Sequence, residues 1–153
     1  MNLIKDIFPM LDCENELFIQ EKGRCLAESM NEIEDFILPM HSLYNKNIWE
    51  NCAKILMAKK DEELYPFLPQ LFEWLQDLNW PGTFIIIERL KNMKGTFLVE
   101  SYIKVISDAK DKGEENCEWL DHLTKLIENR ELEELLEREL STYIWNRYKN
   151  FWL

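Results

Sequence analysis

Residues 66–90 read PFLPQLFEWLQDLNWPGTFIIIERL, and this stretch decides the fold because it carries two helical patterns joined by a turn. Apolar side chains recur every three or four positions in its first half, at Phe67, Leu68, Leu71, Phe72, Leu75 and Leu78. Asn79-Trp80-Pro81-Gly82 is typical of a turn, and Pro81 suits the start of a following helix. The apolar run 84–87 covers more than one helix face, so we expect the second helix to be buried on most sides.

The same helical spacing continues on both sides of this segment. From residue 47 onward we predict helices at 48–59, 66–78, 82–93, 96–111, 115–129 and 131–149. Asn47 is the predicted N-cap of the first, with Glu50 in the capping-box position. Upstream, the pattern predicts a helix within residues 3–11 that Pro9 disturbs, and one long or two short helices within residues 17–39.

These patterns predict an all-α fold in one domain spanning residues 1–153. Short connections favour antiparallel neighbours, so the six helices after residue 46 pair as three hairpins. Each hairpin spans roughly 30–40 residues, the length of one α-solenoid unit. Because no strict repeat is present, the sequence predicts either a short HEAT-like α-solenoid or an irregular bundle. The domain divides into N-terminal helices (1–46), a core (47–130), and a C-terminal helix with its tail (131–153).

Charge limits the classes of partner. The chain carries 29 acidic and 18 basic side chains, a net charge of −11. Such a chain repels nucleic-acid phosphates and anionic lipid, so we expect neither nucleic acid nor membrane as a partner. Residues 113–139 hold ten acidic and three basic side chains, the most acidic stretch of the chain. The balance permits attraction to a basic protein partner, and the alternative is that the acidic groups only keep the protein soluble.

The cysteines indicate a reducing compartment. No CxxC pair occurs, and the gaps between them are long and irregular: Cys13, Cys25, Cys52 and Cys117. The N-terminal apolar run is short and contains Asp6, unlike a secretory signal. No apolar run approaches the roughly 18 residues of a membrane span. We therefore expect a cytoplasmic protein with reduced, mostly buried thiols.

The central segment resembles a known family. Residues 68–82, LPQLFEWLQDLNWPG, are similar to the signature of a bacterial family of domains of unknown function, number 5071. A looser similarity extends over residues 47–130, including Tyr102–Val105 and Glu118–Leu120. Thr83 and Phe84 depart from the family pattern, since smaller residues are expected after the Pro-Gly. The resemblance implies a small, cytosolic, helical and HEAT-like protein, and it implies no reaction.

The turn inside this segment is the first candidate site, formed by Glu73, Trp74, Asp77, Asn79 and Trp80. Glu73 and Asp77 lie four positions apart and would share one helix face. Two close carboxylates can raise the pKa of one of them and serve acid–base chemistry. The structural alternative is that Asp77 and Asn79 bond backbone N–H groups of the turn while Trp80 seals the hairpin. We expect the structural role, with a binding surface as the alternative.

Histidine and cysteine offer little chemistry. His122 follows Glu118 by four positions but lacks the second histidine of a zinc helix, so we expect an exposed side chain without a metal. A mixed metal site of Cys13, Cys25 and His41 would need a coincidence of tertiary structure.

Catalytic and cofactor motifs are missing as well. The sequence contains no GxGxxG, GxxxxGK[ST] or GxSxG, and it has only four glycines. We therefore predict no catalytic residues and no cofactor.

The C-terminal tail, residues 143–153, combines five aromatic side chains with Arg147 and Lys149. Aromatics with arginine are typical of interaction hot spots, whereas two bases are few for stacking on nucleic acid. The structural alternative packs the tail on the preceding hairpin through Tyr143, Ile144, Tyr148 and Phe151.

Function is predicted from these features together. We expect acidic groups on the outer faces of the last helices, at Glu115, Glu118, Asp121, Glu128, Glu133, Glu134 and Glu137. The first hypothesis is a non-catalytic protein-binding domain, such as an immunity-type protein that neutralises a basic partner through Glu133, Glu134 and Glu137. The alternative is a small-molecule-binding protein or an enzyme that uses carboxylates and Trp at residues 73–80. A broad acidic concave face would favour the first, and a deep pocket joining charged groups the second.

Overall fold

The computed structural model describes residues 3–40, 45–112 and 118–153. All regular structure in these ranges is helical, as the sequence predicts, and none of it is β-strand. Many α-helices are short and continue into a tighter 3-10 turn. Within the described ranges, no helix is both long and apolar enough to cross a bilayer.

Residues 3–40 contain two α-helices and three 3-10 turns. The α-helices are α1, Leu3–Ile7, and α2, Leu17–Glu28, and the 3-10 turns are Phe8–Leu11, Glu34–Phe36 and Leu38–Met40. Pro9 ends α1 as expected. The predicted helical pattern beyond residue 30 folds into 3-10 turns instead. Phe36, Ile37 and Leu38 are all fully buried, and one face of a surface helix cannot bury three successive residues.

The remaining α-helices run from residue 49 to residue 152. They are α3, Trp49–Met57; α4, Asp61–Leu64; α5, Leu68–Glu73; α6, Thr83–Lys91; α7, Gly95–Asp111; α8, Glu118–Leu123; α9, Arg130–Leu135; and α10, Arg138–Trp152. Four further 3-10 turns in the described ranges precede or follow them, at Lys46–Ile48, Tyr65–Phe67, Trp74–Gln76 and Thr124–Glu128.

The predicted helix 66–78 is interrupted. Pro66 lies in the 3-10 turn Tyr65–Phe67, and Pro69 lies in the first turn of α5. A proline has no N–H to donate, so each can lie only near a helix start. Both prolines lie in opening turns, and two separate turns are needed to hold them.

The single helix predicted at 131–149 is wrong. Leu136 and Glu137 are extended, with ψ of 145° and 146°, and they separate α9 from α10. The break lets α9 pack against α7 while α10 packs against Thr124–Glu128. The local spacing of apolar residues does not indicate this change in the direction of the chain.

The predicted capping box at Asn47 is also wrong. Asn45 caps the 3-10 turn Lys46–Ile48, since its side-chain oxygen accepts a hydrogen bond from the backbone N–H of Asn47 at 2.9 Å. The first α-helix of this region then starts at Trp49 without a side-chain cap.

Helix contacts form two rows. In one row α2 packs against α3, α3 against α6, and α6 against Thr124–Glu128, which in turn contacts α10. In the other row α5 packs against α7 and α7 against α9. The core lies between these elements, and its largest fully buried side chains are Trp74, Tyr102, Phe36 and Phe72.

Buried polar side chains join the elements. Asn129 donates to the carbonyl of Met93 at 2.7 Å, and its oxygen accepts from the N–H of Leu132 at 3.0 Å. Lys59 is only 6% exposed and donates to the carbonyls of Glu28 at 2.9 Å and Met30 at 2.6 Å. Each of these side chains satisfies helix-end groups that would otherwise be buried without a partner.

Candidate functional site

Three tryptophans meet beside the turn, and we call Trp49, Trp74 and Trp80 the indole cluster. Trp49 lies edge to face with Trp74 at 5.9 Å and with Trp80 at 5.4 Å between ring centroids. Trp74 is fully buried and donates its indole N–H to the carbonyl of Pro81 at 3.0 Å. Trp80 is half-buried. The hairpin is therefore sealed mainly by Trp74, whereas the sequence favours Trp80.

Asp77 has the structural role that the sequence predicts. One carboxylate oxygen accepts from the backbone N–H of Asn79 at 2.8 Å, and the Asp77 carbonyl accepts from the hydroxyl of Thr83 at 2.9 Å. Asn79 is exposed and contributes its backbone to this turn. Gly82 completes the turn with φ of 85°, and a Cβ there would lie 2.7 Å from the Cβ of Ala53.

The proposed acid–base pair is not formed as expected. Helix α5 ends at Glu73, a 3-10 turn follows, and Asp77 is extended with φ of −136° and ψ of 115°. Glu73 and Asp77 therefore do not share a helix face, because the i, i+4 relation holds only along one continuous helix.

Glu73 instead lines a pocket of about 380 Å³ between α5, α7 and the start of α8, which we call the α5–α7 pocket. Its apolar side chains are Pro69, Phe72, Val105 and Trp119, and its charged side chains are Glu73, Lys104, Asp108, Asp111 and Lys112. Trp119 donates its indole N–H to the carbonyl of Phe72 at 2.8 Å, which ties α8 to α5. The sequence does not predict this pocket, because its residues are far apart along the chain.

A second concavity, of about 360 Å³, is strongly acidic, and we call it the acidic groove. Its carboxylates are Glu32, Glu34, Asp35, Glu62 and Glu63. Its apolar side chains are Ile33, Pro66 and Phe67, and its lining includes no Lys or Arg. Helix α3 packs against Glu34–Phe36 and leads into α4, so it brings together acids some 30 positions apart.

The acidic face predicted on the last helices is smaller than expected. Glu118, Glu134 and Glu137 are exposed and Glu133 is half-buried, whereas Glu115 lies outside the described residues. Asp121 forms an ion pair with Arg147 at 2.8 Å. Its charge is therefore neutralised within the chain.

Glu128 points inward as well, which corrects its predicted place on the outer face. It forms ion pairs with Lys91 at 3.0 Å and with Lys125, and it accepts from the hydroxyl of Tyr148 at 2.8 Å. Burial of the carboxyl disfavours its ionised form, but the hydrogen bonds from Lys125, Tyr148 and Lys91 outweigh it and lower the pKa of Glu128 to about 2.

His122 is buried, so the expectation of an exposed histidine is wrong. It is only 4% exposed, and its Nδ1 lies 2.6 Å from the carbonyl of Leu75. Helix α8 packs against Trp74–Gln76, and this contact encloses the imidazole. His41 lies outside the described residues.

The thiols differ from the expectation of mostly buried cysteines. Cys13 and Cys25 are exposed, and Cys52 is buried. Burial raises the pKa of the Cys52 thiol, which keeps it protonated and unreactive. Cys117 lies outside the described residues. Within residues 3–40, 45–112 and 118–153, no three His, Cys, Asp or Glu side chains are grouped to hold a metal ion.

The aromatic tail packs largely on its own chain. Ile144 and Tyr148 are buried as the structural alternative predicts, and Phe151 sets its ring 5.4 Å from His122 although it is 40% exposed. Trp152 donates its indole N–H to the carbonyl of Asp121 at 3.1 Å. Most of the tail is therefore occupied by internal contacts.

Comparison with known proteins identifies the family. A family described as a domain of unknown function (DUF5071) matches residues 45–146, about two thirds of the chain. The match confirms the resemblance seen at residues 68–82 and reaches further, into α10. No curated protein and no solved structure matches the chain. The chain belongs to the DUF5071 family.

Proposed function

We propose that this member of the DUF5071 family is a non-catalytic protein-binding domain that takes a basic partner through the acidic groove. The observation that supports this proposal best is the groove itself. Five carboxylates line this concavity, and among the described residues no Lys or Arg lines it. Charge of one sign in a concave surface attracts the opposite charge and speeds encounter with it.

The groove also offers apolar surface to a basic side chain. Pro66 is exposed and Phe67 is half-buried at the groove, beside the carboxylates. Lysine and arginine cover apolar surface with their aliphatic stems while the charged end stays polar. Glu32 and Glu62 are exposed and Asp35 is half-buried, so all three carboxylates can form ion pairs with the charged group of such a side chain.

The two rows of helix contacts support a short HEAT-like stack for the domain. In this arrangement α3, α6 and Thr124–Glu128 form one layer, and α5, α7 and α9 form the other. Such stacks present extended concave surfaces to partner proteins. We place the protein in the cytoplasm, where exposed thiols such as Cys13 and Cys25 stay reduced. An immunity-type protein that neutralises a basic toxin is the concrete form of the proposal.

Two matched triple variants test the binding surface. One carries Glu32→Gln, Asp35→Asn and Glu62→Gln in the groove; the other carries Glu133→Gln, Glu134→Gln and Glu137→Gln around α9. Both remove three negative charges, so they alter the net charge equally. A partner is first captured from native cell extract at low salt and then purified for association kinetics with each variant.

We expect the groove variant to associate more slowly and to lose much of its salt dependence, because screening acts on the charges that steer encounter. The α9 variant should behave like the parent protein. If only the α9 variant associates more slowly, the binding surface lies at Glu133, Glu134 and Glu137, and the groove is rejected as the binding site. Equal kinetics for all three proteins at low and moderate salt would reject the basic partner altogether.

Small-molecule binding is the second candidate function, favoured by the α5–α7 pocket. The sequence-based version uses carboxylates and Trp at residues 73–80, and of that set only Glu73 lines this pocket. Trp119 supplies the indole instead of Trp74 or Trp80, which belong to the indole cluster.

A further inference from the structure

We propose that the α5–α7 pocket binds a small amphipathic cation, with its apolar body on Pro69 and Trp119 and its ammonium or guanidinium group at Glu73 and Asp111. The inference deepens the second candidate function. It is independent of the acidic groove, because the two concavities share no lining residue.

The size of the pocket suits a small ligand. Its volume of about 380 Å³ is at the lower end of the range for ligand sites, which is roughly 300–1,000 Å³. Its sides come from three different helices, so a ligand would be surrounded rather than laid on a flat surface.

The apolar side of the pocket is held in place before any ligand arrives. Phe72 is fully buried and lies edge to face with Tyr102 at 6.3 Å. Trp119 is fixed by its hydrogen bond to the Phe72 carbonyl at 2.8 Å. Because these rings need little ordering on binding, the entropic cost of association is reduced. Of these two rings, Trp119 is the one that a ligand can reach, and its planar indole favours a flat apolar body.

The charges of the pocket select a cation. Lys104 and Asp108 form an ion pair at 3.1 Å and largely cancel. In the part of the chain that the structure describes, Glu73 and Asp111 take part in none of the ion pairs. Lys112 also lines the pocket, so among the described residues three carboxylates face two ammonium groups and the lining has a net charge of −1. This charge attracts an ammonium group and repels an anionic ligand.

The face of Trp119 is already suited to positive charge. The ammonium of Lys112 lies 5.5 Å from the centre of this ring, within the range of a cation–π contact. Lys112 is an exposed side chain at the end of α7, so it can turn toward water when a ligand cation enters.

Three small probes of similar shape test the charge preference: phenethylamine, the neutral phenethyl alcohol and the anionic phenylpropanoate. Each is titrated into the full chain while the indole N–H resonances are followed by NMR. We expect saturable binding of phenethylamine with a shift at Trp119, weaker binding of the alcohol and none of the anion. Glu73→Gln and Asp111→Asn should each weaken phenethylamine binding about two- to fivefold, the range of partly exposed ion pairs.

Matched variants locate the site. Glu133→Gln removes an equal charge elsewhere and should leave binding unchanged, and the groove triple variant should do the same. Ser101→Phe adds a ring at the pocket lining without removing a charge and should abolish binding. Thermal melting establishes that each variant is folded.

Three results would overturn the inference: no saturable binding of phenethylamine, equal binding of phenylpropanoate, or unchanged binding in both Glu73→Gln and Asp111→Asn. None of them bears on the acidic groove, whose test uses a protein partner.

Discussion

Lys59 shows how one side chain can hold two segments together. Its ammonium reaches the carbonyl of Glu28, the last residue of α2, and that of Met30, just beyond the helix. We expect Lys59→Met to cost about 1–3 kcal/mol of unfolding free energy, because both carbonyls lose a charged donor. Urea denaturation measures the loss, and Lys54→Met, at an exposed position of α3, is the control. Equal stability of the two variants would mean that water replaces the ammonium without cost.

The indole cluster contains tryptophans of unequal burial. Trp74→Ala should cost about 3–5 kcal/mol, the usual loss for a fully buried large side chain. Trp80→Ala should also lower the melting temperature, but less, since Trp80 is half-buried against Trp49. Thermal melting of both variants checks the order. An unchanged melting temperature for Trp80→Ala would leave this ring available for binding.

Glu128 makes the unfolding free energy of the protein depend on pH. Its folded pKa of about 2 lies below the ordinary value of 4.5, so the folded state favours the ionised carboxylate. This contribution is complete above about pH 4.5 and is lost as the pH falls toward 2. The Glu128→Gln variant should therefore be less stable than the parent protein at neutral pH. The difference in unfolding free energy between the two proteins should become smaller below pH 4.5.

Urea denaturation across that pH range is the measurement, and Glu137→Gln is the control at an exposed carboxylate. If the difference in unfolding free energy between Glu128→Gln and the parent stays constant with pH, the charge of Glu128 does not stabilise the fold.

At the scale of elements, α7 and α9 approach too closely for a side chain at Gly95. A Cβ there would lie 2.6 Å from the backbone nitrogen of Leu132 and 2.7 Å from the carbonyl carbon of Glu131. Gly95→Ala should force the helices apart and cost about 1–3 kcal/mol. Denaturant unfolding tests this, with Thr96→Ala as the exposed neighbour. A stable Gly95→Ala variant would show that α9 can shift without loss of packing.

Helices were predictable from the sequence because their periodicity is local. The positions where a helix is interrupted are not predictable in this way, because tertiary packing determines them. Nothing in the local pattern distinguishes the extended Leu136–Glu137 pair from a continuing helix, yet burial of Leu132 under α7 and of Ile144 beside Thr124–Glu128 requires the bend. His122 was misplaced for the same reason, since its environment is supplied by Leu75, 47 positions away.

At the scale of the whole molecule, charge is distributed differently in space and along the chain. The most acidic stretch of sequence, residues 113–139, loses part of its outward charge to ion pairs at Asp121 and Glu128. The acidic groove instead draws on two short acidic runs, residues 32–35 and 62–63, which are about 30 positions apart in the sequence. Sequence windows predict an acidic protein, but not where the concave acidic surface forms.

The indole cluster also gives the protein a spectroscopic marker of its own. Indole rings whose centroids lie 5.4 and 5.9 Å apart couple their strong electronic transitions, so the circular dichroism of the far-ultraviolet indole band should contain a couplet from Trp49, Trp74 and Trp80. The other three tryptophans, Trp119, Trp145 and Trp152, lie in the last third of the chain. Loss of the couplet would therefore report opening around the α3–α6 contact, and the chain needs no attached dye to reveal it.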